Sequence, residues 1–219
     1  MQEPRRRESP PARTPSGDIV KVPVQHWEDL DKRDPEALCK RALAKNYPPT
    51  GFILPFLKEY FLVDKQRRCL CRQGPGEWER MDSPLLELVS LVYLLNATPE
   101  PLGKRTISVK ELKSAHFFRG PHELRVRPVL ERYGNDLEGF KRAAEELGGE
   151  SLDLADAAYK FWAFPKVPLC YLLWEGDQEF SPSLSILFDR SIEQHLAPDA
   201  IWGLVNLVSD ILLRPDNWP

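Results

Sequence analysis

Apolar and polar positions along this chain fall into blocks whose period switches between helix and strand. Asp34-Pro35 opens a segment in which Leu38, Cys39, Ala42 and Leu43 make an apolar stripe at helical spacing. Asp caps free N–H groups and Pro suits a first turn, so a helix starts there. Gly51–Leu57, Lys58–Asp64 and Arg67–Arg72 read as three short strands in a meander. The first is apolar on both faces, and Pro55 gives it an edge position. Ser83-Pro84 opens a second helix, apolar nearly all round and therefore expected at the centre. Ser108 and Glu111 have capping-box spacing for a short helix. Asp136–Leu147 is amphipathic, and Gly148 is a natural stop. Ala157–Phe164, Val167–Trp174 and Ser185–Phe188 read as strands, the first two separated by Pro165. Pro198–Leu213 closes the pattern as a helix with a stripe of Ile201, Leu204, Val205, Val208 and Leu212.

The blocks show no repeat and no strict strand–helix–strand alternation. They predict an α+β fold, with a mixed or antiparallel sheet packed against several helices in a single compact domain over residues 18–214. Met1–Gly17 carries Arg5, Arg6, Arg7 and Arg13 among prolines and almost no apolar residue, so it reads as a disordered basic tail. The sharper alternative for such a tail is a nucleic-acid arm or an arm for a protein partner in assembly. Residues 215–219 read as a C-terminal tail. With 219 residues, 42% of them hydrophobic, the chain can build a sizeable core. A net charge of −3 argues against wholesale nucleic-acid binding. No apolar run is long enough for a bilayer and none has the form of a secretory leader. The expectation is a cytoplasmic protein, without membrane attachment, whose four cysteines stay reduced.

The densest chemistry lies between two apolar stretches. Glu175, Asp177 and Glu179 project from one side of an extended segment, and Asp189 ends the next stretch. Clustered carboxylates could raise one another's pKa for acid–base work or bind a hard cation. The alternative is a solvated turn, because Gly176, Ser181 and Pro182 are turn residues. A second group is Phe118, Arg119 and His122 around Gly120-Pro121, where a helix start would leave N–H groups for an anion. The alternative there is a plain helix start with Phe117 and Phe118 in the core.

Taken together, these residues suggest a cleft with Phe118 and Trp174 as its apolar wall. Arg119, His122 and the carboxylates would supply polar contacts. Such a cleft suits a small molecule or a planar cofactor such as a tetrapyrrole, with His122 or His195 as an axial ligand. Cys69 and Cys71 on one strand face could share a metal. The chain has no CxxC, and Cys39 and Cys170 are most simply small core residues. No nucleophile, phosphate-loop or zinc motif is present, so no catalytic residue can be named. The leading reading is a ligand- or partner-binding accessory protein. An enzyme using the carboxylates for acid–base or divalent-metal-assisted work is the alternative.

Certain stretches carry a family likeness: Asp34-Pro35, Leu54-Pro55-Phe56, Phe117-Phe118-Arg119-Gly120 and, above all, Phe164-Pro165-Lys166-Val167-Pro168 through Leu173–Phe180 to Leu187-Phe188-Asp189. From Trp27 to Leu213 the chain resembles the family catalogued as domain of unknown function 3786. The resemblance implies a link to anaerobic redox, corrinoid or tetrapyrrole metabolism. Some members of that family carry an added cysteine-rich iron–sulfur segment, which this chain lacks. The family supplies no established catalytic residues and names no cofactor.

Overall fold

Among the described residues, seven helices and ten strands form two antiparallel sheets around one continuous hydrophobic core. The computed structural model describes residues 20–103 and 105–214, so Met1–Gly17 and residues 215–219 lie outside it. The class is α+β, as the block pattern predicts, with two sheets in place of one.

α1 (Val24–Asp31) and α2 (Pro35–Ala42) come first, and Asp34 accepts the Ala37 N–H at 2.8 Å to start α2. A five-stranded meander follows in chain order: β1 (Lys45–Tyr47), β2 (Gly51–Phe56), β3 (Glu59–Asp64), β4 (Cys69–Gln73) and β5 (Trp78–Arg80). β2 to β4 are the three expected strands. β1 and β5 have three residues each, too few to carry a readable period. β2 is therefore internal, but β1 pairs only with Gly51–Ile53, and Pro55 lies past its end. The sheet curls. A flat one would hold β1 and β5 about 19 Å apart, four strand spacings, yet the rings of Tyr47 and Trp78 meet at 6.3 Å. The face turned away from the main core closes over Leu62, Cys69 and Cys71.

α3 (Pro84–Asn96) is buried along most of its length, as its composition predicts. α7 (Pro198–Leu213) differs from its expected single stripe, because it lies between α3 and the second sheet. Its Gly203 lets α3 approach so closely that a Cβ there would sit 3.2 Å from Leu85. On its other side, Tyr171 places its hydroxyl 3.2 Å from the Val205 carbonyl and 2.9 Å from Ser209 Oγ. α4 (Arg127–Tyr133) and α5 (Leu137–Glu146) flank it, and Tyr133 donates to the Leu212 carbonyl at 2.8 Å.

The second sheet is built from β6 (Thr106–Ser108), β7 (Glu150–Leu152), β8 (Ala157–Phe164), β9 (Val167–Trp174) and β10 (Ser183–Asp189). Its order is β6-β10-β9-β8-β7, and α6 (Ile192–His195) leads from it into α7. The sheets meet where Leu57 N–H donates to the Trp162 carbonyl at 3.0 Å and Phe56 packs on Phe164. The β9–β10 register decides where chemistry can gather. Trp174 faces Ser183 at one end and Leu169 faces Phe188 at the other. Asp189 therefore stands about 20 Å along the hairpin from the Glu175–Pro182 loop, six residues at a strand rise.

Candidate functional site

After α3 the chain crosses the Asp189 end of the second sheet as Thr98–Gly103, a run with prolines at 99 and 101. Few backbone partners exist for such a segment, and three side chains from elsewhere supply them. Lys166, in the β8–β9 turn, donates its ammonium to the Thr98 carbonyl at 2.6 Å and the Glu100 carbonyl at 3.0 Å. His195, on α6, accepts the Thr98 N–H on Nδ1 at 3.3 Å. Asp189 accepts the Gly103 N–H at 2.8 Å on Oδ1, which also takes the Ser191 N–H at 2.8 Å and the Ser191 hydroxyl at 2.5 Å. All three are buried: Lys166 and Asp189 are 7% exposed and His195 is 0%.

Burying ionisable groups is costly unless they are hydrogen-bonded, and the costs show here. Burial pushes the Lys166 ammonium below its ordinary pKa, with Glu100 opposing. Burial, and then Lys166, push His195 down to about 4, with Asp189 opposing. His195 is therefore neutral at pH 7. An accepting Nδ1 puts its proton on Nε2, which is buried and meets no partner.

The anchored loop is one wall of a cleft of about 630 Å³. Arg190–Gln194 form the facing wall, and Ile107, Glu111 and Lys113 complete it. Glu193 ties Arg190–Gln194 to the Lys113–Ser114 segment. It accepts the Lys113 N–H at 2.8 Å, the Ser114 N–H at 2.9 Å and the Ser114 hydroxyl at 2.6 Å. Burial raises its pKa, but these bonds outweigh that and leave it below the carboxylate norm. Glu111 closes the capping box on Ser108, as its spacing predicts, and accepts Arg105 at 2.8 Å. The element is a single 3-10 turn, Val109–Glu111.

The expected cleft around the acidic loop does not form. Asp177 folds the loop on itself, accepting the N–H groups of Glu179 and Phe180 at 2.7 Å. These backbone bonds hold its pKa low. Glu175, Asp177 and Glu179 are exposed, and the loop packs through Pro182 against Gly134 at the end of α4. Trp174 is half-buried on the second sheet's outward face beside Leu172.

Arg119 does not roof these carboxylates. Trp202, near the start of α7, donates to the Glu123 carbonyl at 3.3 Å and holds that segment there. The end of α4 packs at Leu212, about 15 Å further along α7. Gly120–His122 is one 3-10 turn, too short to offer the expected helix N-terminus. Phe118 is buried, Arg119 exposed, and His122 stacks on Phe117 at 4.3 Å.

The structure thus separates the sequence candidates into four places, and it brings only Asp189 and His195 beside the cleft. Cys69 and Cys71 do share a face, with sulfurs 3.7 Å apart, in the closed interior of the first sheet. Burial, followed by the Cys69 contact, pushes the Cys71 thiol up to about 12. Cys39 packs on the main core, and Cys170 is buried beneath the outward face of the second sheet. Among the described residues no group of three or more His, Cys, Asp or Glu side chains is placed to hold a metal. Among the described residues no helix is long and apolar enough to cross a membrane.

Sequence reasoning missed Lys166, Arg190 and the Thr98–Gly103 wall. One signal was present: Lys166, between Pro165 and Pro168, interrupts the apolar run from Phe161 to Leu173, a poor place for a charge without a partner.

The model of the family described as domain of unknown function 3786 matches residues 34–210. That stretch contains both sheets, the loop and its three anchors. No curated protein and no solved structure matches the chain.

Proposed function

From the premise that this chain belongs to the family described as domain of unknown function 3786, we propose that it is a ligand-binding accessory protein. Its ligand is a small molecule held in the cleft between Thr98–Gly103 and Arg190–Gln194. The observation that carries this reading is the anchoring of one wall. A buried ammonium, a buried carboxylate and a buried imidazole, from three different elements, all act on the backbone of a single six-residue loop. A loop whose only task was to connect α3 to β6 could lie on the surface, with water as its partner. Rigid support of a surface loop is what a binding wall needs. The volume of about 630 Å³ falls in the range of small-molecule sites.

Among the described residues no aromatic or histidine side chain lines the cleft, so the geometry favours a compact polar ligand over a planar macrocycle. The carboxylate-based enzymatic alternative would place its groups in an exposed, self-bonded turn, and no observation favours it. The test is native mass spectrometry of protein equilibrated with a soluble small-molecule extract. A retained mass is expected for wild type and lost in Leu102→Trp, which fills the cleft from a half-buried position. Circular dichroism checks that the variant stays folded. Retention of the same mass by both proteins, or by neither, overturns the proposal.

A further inference from the structure

The hydrogen-bond accounting of the cleft is uneven. Three carboxylates line it, and two are fully engaged: both oxygens of Glu111 and both of Glu193 accept N–H or O–H donors. The two lining cations, Lys113 and Arg190, make no ion pair or side-chain hydrogen bond among the described residues. Each has its backbone N–H fixed, Lys113 by Glu193 and Arg190 by the Arg105 carbonyl at 3.1 Å. Their stems therefore start from braced positions while their charged ends hold no direct partner among the described residues. Gly103 lies beside Arg190, and a Cβ there would come 3.5 Å from the Arg190 Cβ. Ile107, Leu102 and Pro101 give the same cleft an apolar lining.

We infer that the cleft selects a small organic anion, with a carboxylate or phosphate head held between Lys113 and Arg190 and an apolar body against Leu102 and Ile107. This rests on the reading of the cleft as a ligand site. A guanidinium suits a planar carboxylate or a phosphate through paired N–H donors, and an ammonium adds a point charge. Glu111 and Glu193 already have hydrogen-bond donors on both oxygens, and the Lys113 charge acts on Glu193 only through space, without an ion pair. Glu100, the third lining carboxylate, makes no side-chain hydrogen bond or ion pair among the described residues and disfavours a second anionic group on the ligand. The selected class is thus a molecule with one anionic head.

The test uses four probes that share one ring: benzoate, phenyl phosphate, benzamide and benzylamine. Each is titrated into the full chain, with the amide NMR signals of Gly103, Ile107 and Ser191 as readout. Benzoate or phenyl phosphate is expected to shift these amides with millimolar affinity, and the stronger of the two identifies the head group. Arg190→Gln and Lys113→Gln, both on exposed side chains, should each weaken that probe by about tenfold, the worth of a charge-assisted hydrogen bond. Benzamide or benzylamine binding as well as the anions, or anion binding indifferent to both substitutions, overturns the inference and leaves the cleft as a ligand site. Silence of those amides toward all four probes removes the cleft reading itself.

Discussion

The two ends of the β9–β10 hairpin both carry carboxylates and are built on opposite principles. At the turn, Glu175, Asp177 and Glu179 stand in solvent, and Asp177 serves only its own loop. At the open end, Asp189 is buried and holds Gly103 and Ser191, beside Lys166 and His195 doing similar work on Thr98 and Glu100. The first end has more charge per residue of sequence. The second has more charge removed from water, and the cleft lies there. Density of ionisable residues marks a solvated turn as readily as a site. Burial of such residues against the backbone of another segment is the more discriminating sign.

The contrast can be broken by substitution, and the largest effect is expected at Asp189. Asp189→Ala leaves the Gly103 N–H, the Ser191 N–H and the Ser191 hydroxyl without their acceptor. Urea unfolding should show a loss of about 3 kcal/mol. A loss under about 1 kcal/mol would put Asp189 on a par with the acidic turn and dissolve the distinction.

Next comes pH. His195 has a folded pKa of about 4 against an ordinary 6.5. Between those values the unfolded chain takes up a proton that the native protein refuses, so stability falls as pH drops from 6.5 to 4. The contribution lost by pH 4 is up to about 3 kcal/mol. His195→Gln should flatten the slope of stability against pH in that window. An unchanged slope would show that His195 is not held neutral by its surroundings.

Lys166→Met keeps the stem and removes the ammonium, leaving two loop carbonyls without a donor. The expected cost is about 2 kcal/mol, with faster amide exchange confined to residues 98–103. Exchange spread evenly over the second sheet would mean that Lys166 supports the core and not the wall. The smallest effect belongs to the other end: Glu175→Gln with Glu179→Gln should leave the urea midpoint and any cleft binding where they are. A shift in either would return the acidic turn to consideration.

Much of the architecture was legible in the pattern. Pro198 and Leu213 bound the last helix as its stripe and flanking residues predict, and the Asp34 cap forms as expected. Long, strongly periodic segments declare themselves, whereas β1, β5, β6 and β7 have three residues each and show no period. The site was less legible for a topological reason. Reading Asp189 beside Glu175 assumed that two apolar stretches share one charged end. An antiparallel hairpin instead joins the end of β9 to the start of β10 and sends Asp189 the full length away. The role of Lys166 depends on which segment crosses above it, a long-range fact that local pattern does not carry.

The contact between Tyr47 and Trp78 has a consequence for how the molecule comes apart. By bringing its two outermost strands together, the meander acquires a private interior sealed off from the helices. Amides of β3 and β4 then enjoy shelter from both sides. They should be among the last to exchange with solvent, keeping their protons through openings that already unseat α1 or the loop before β6.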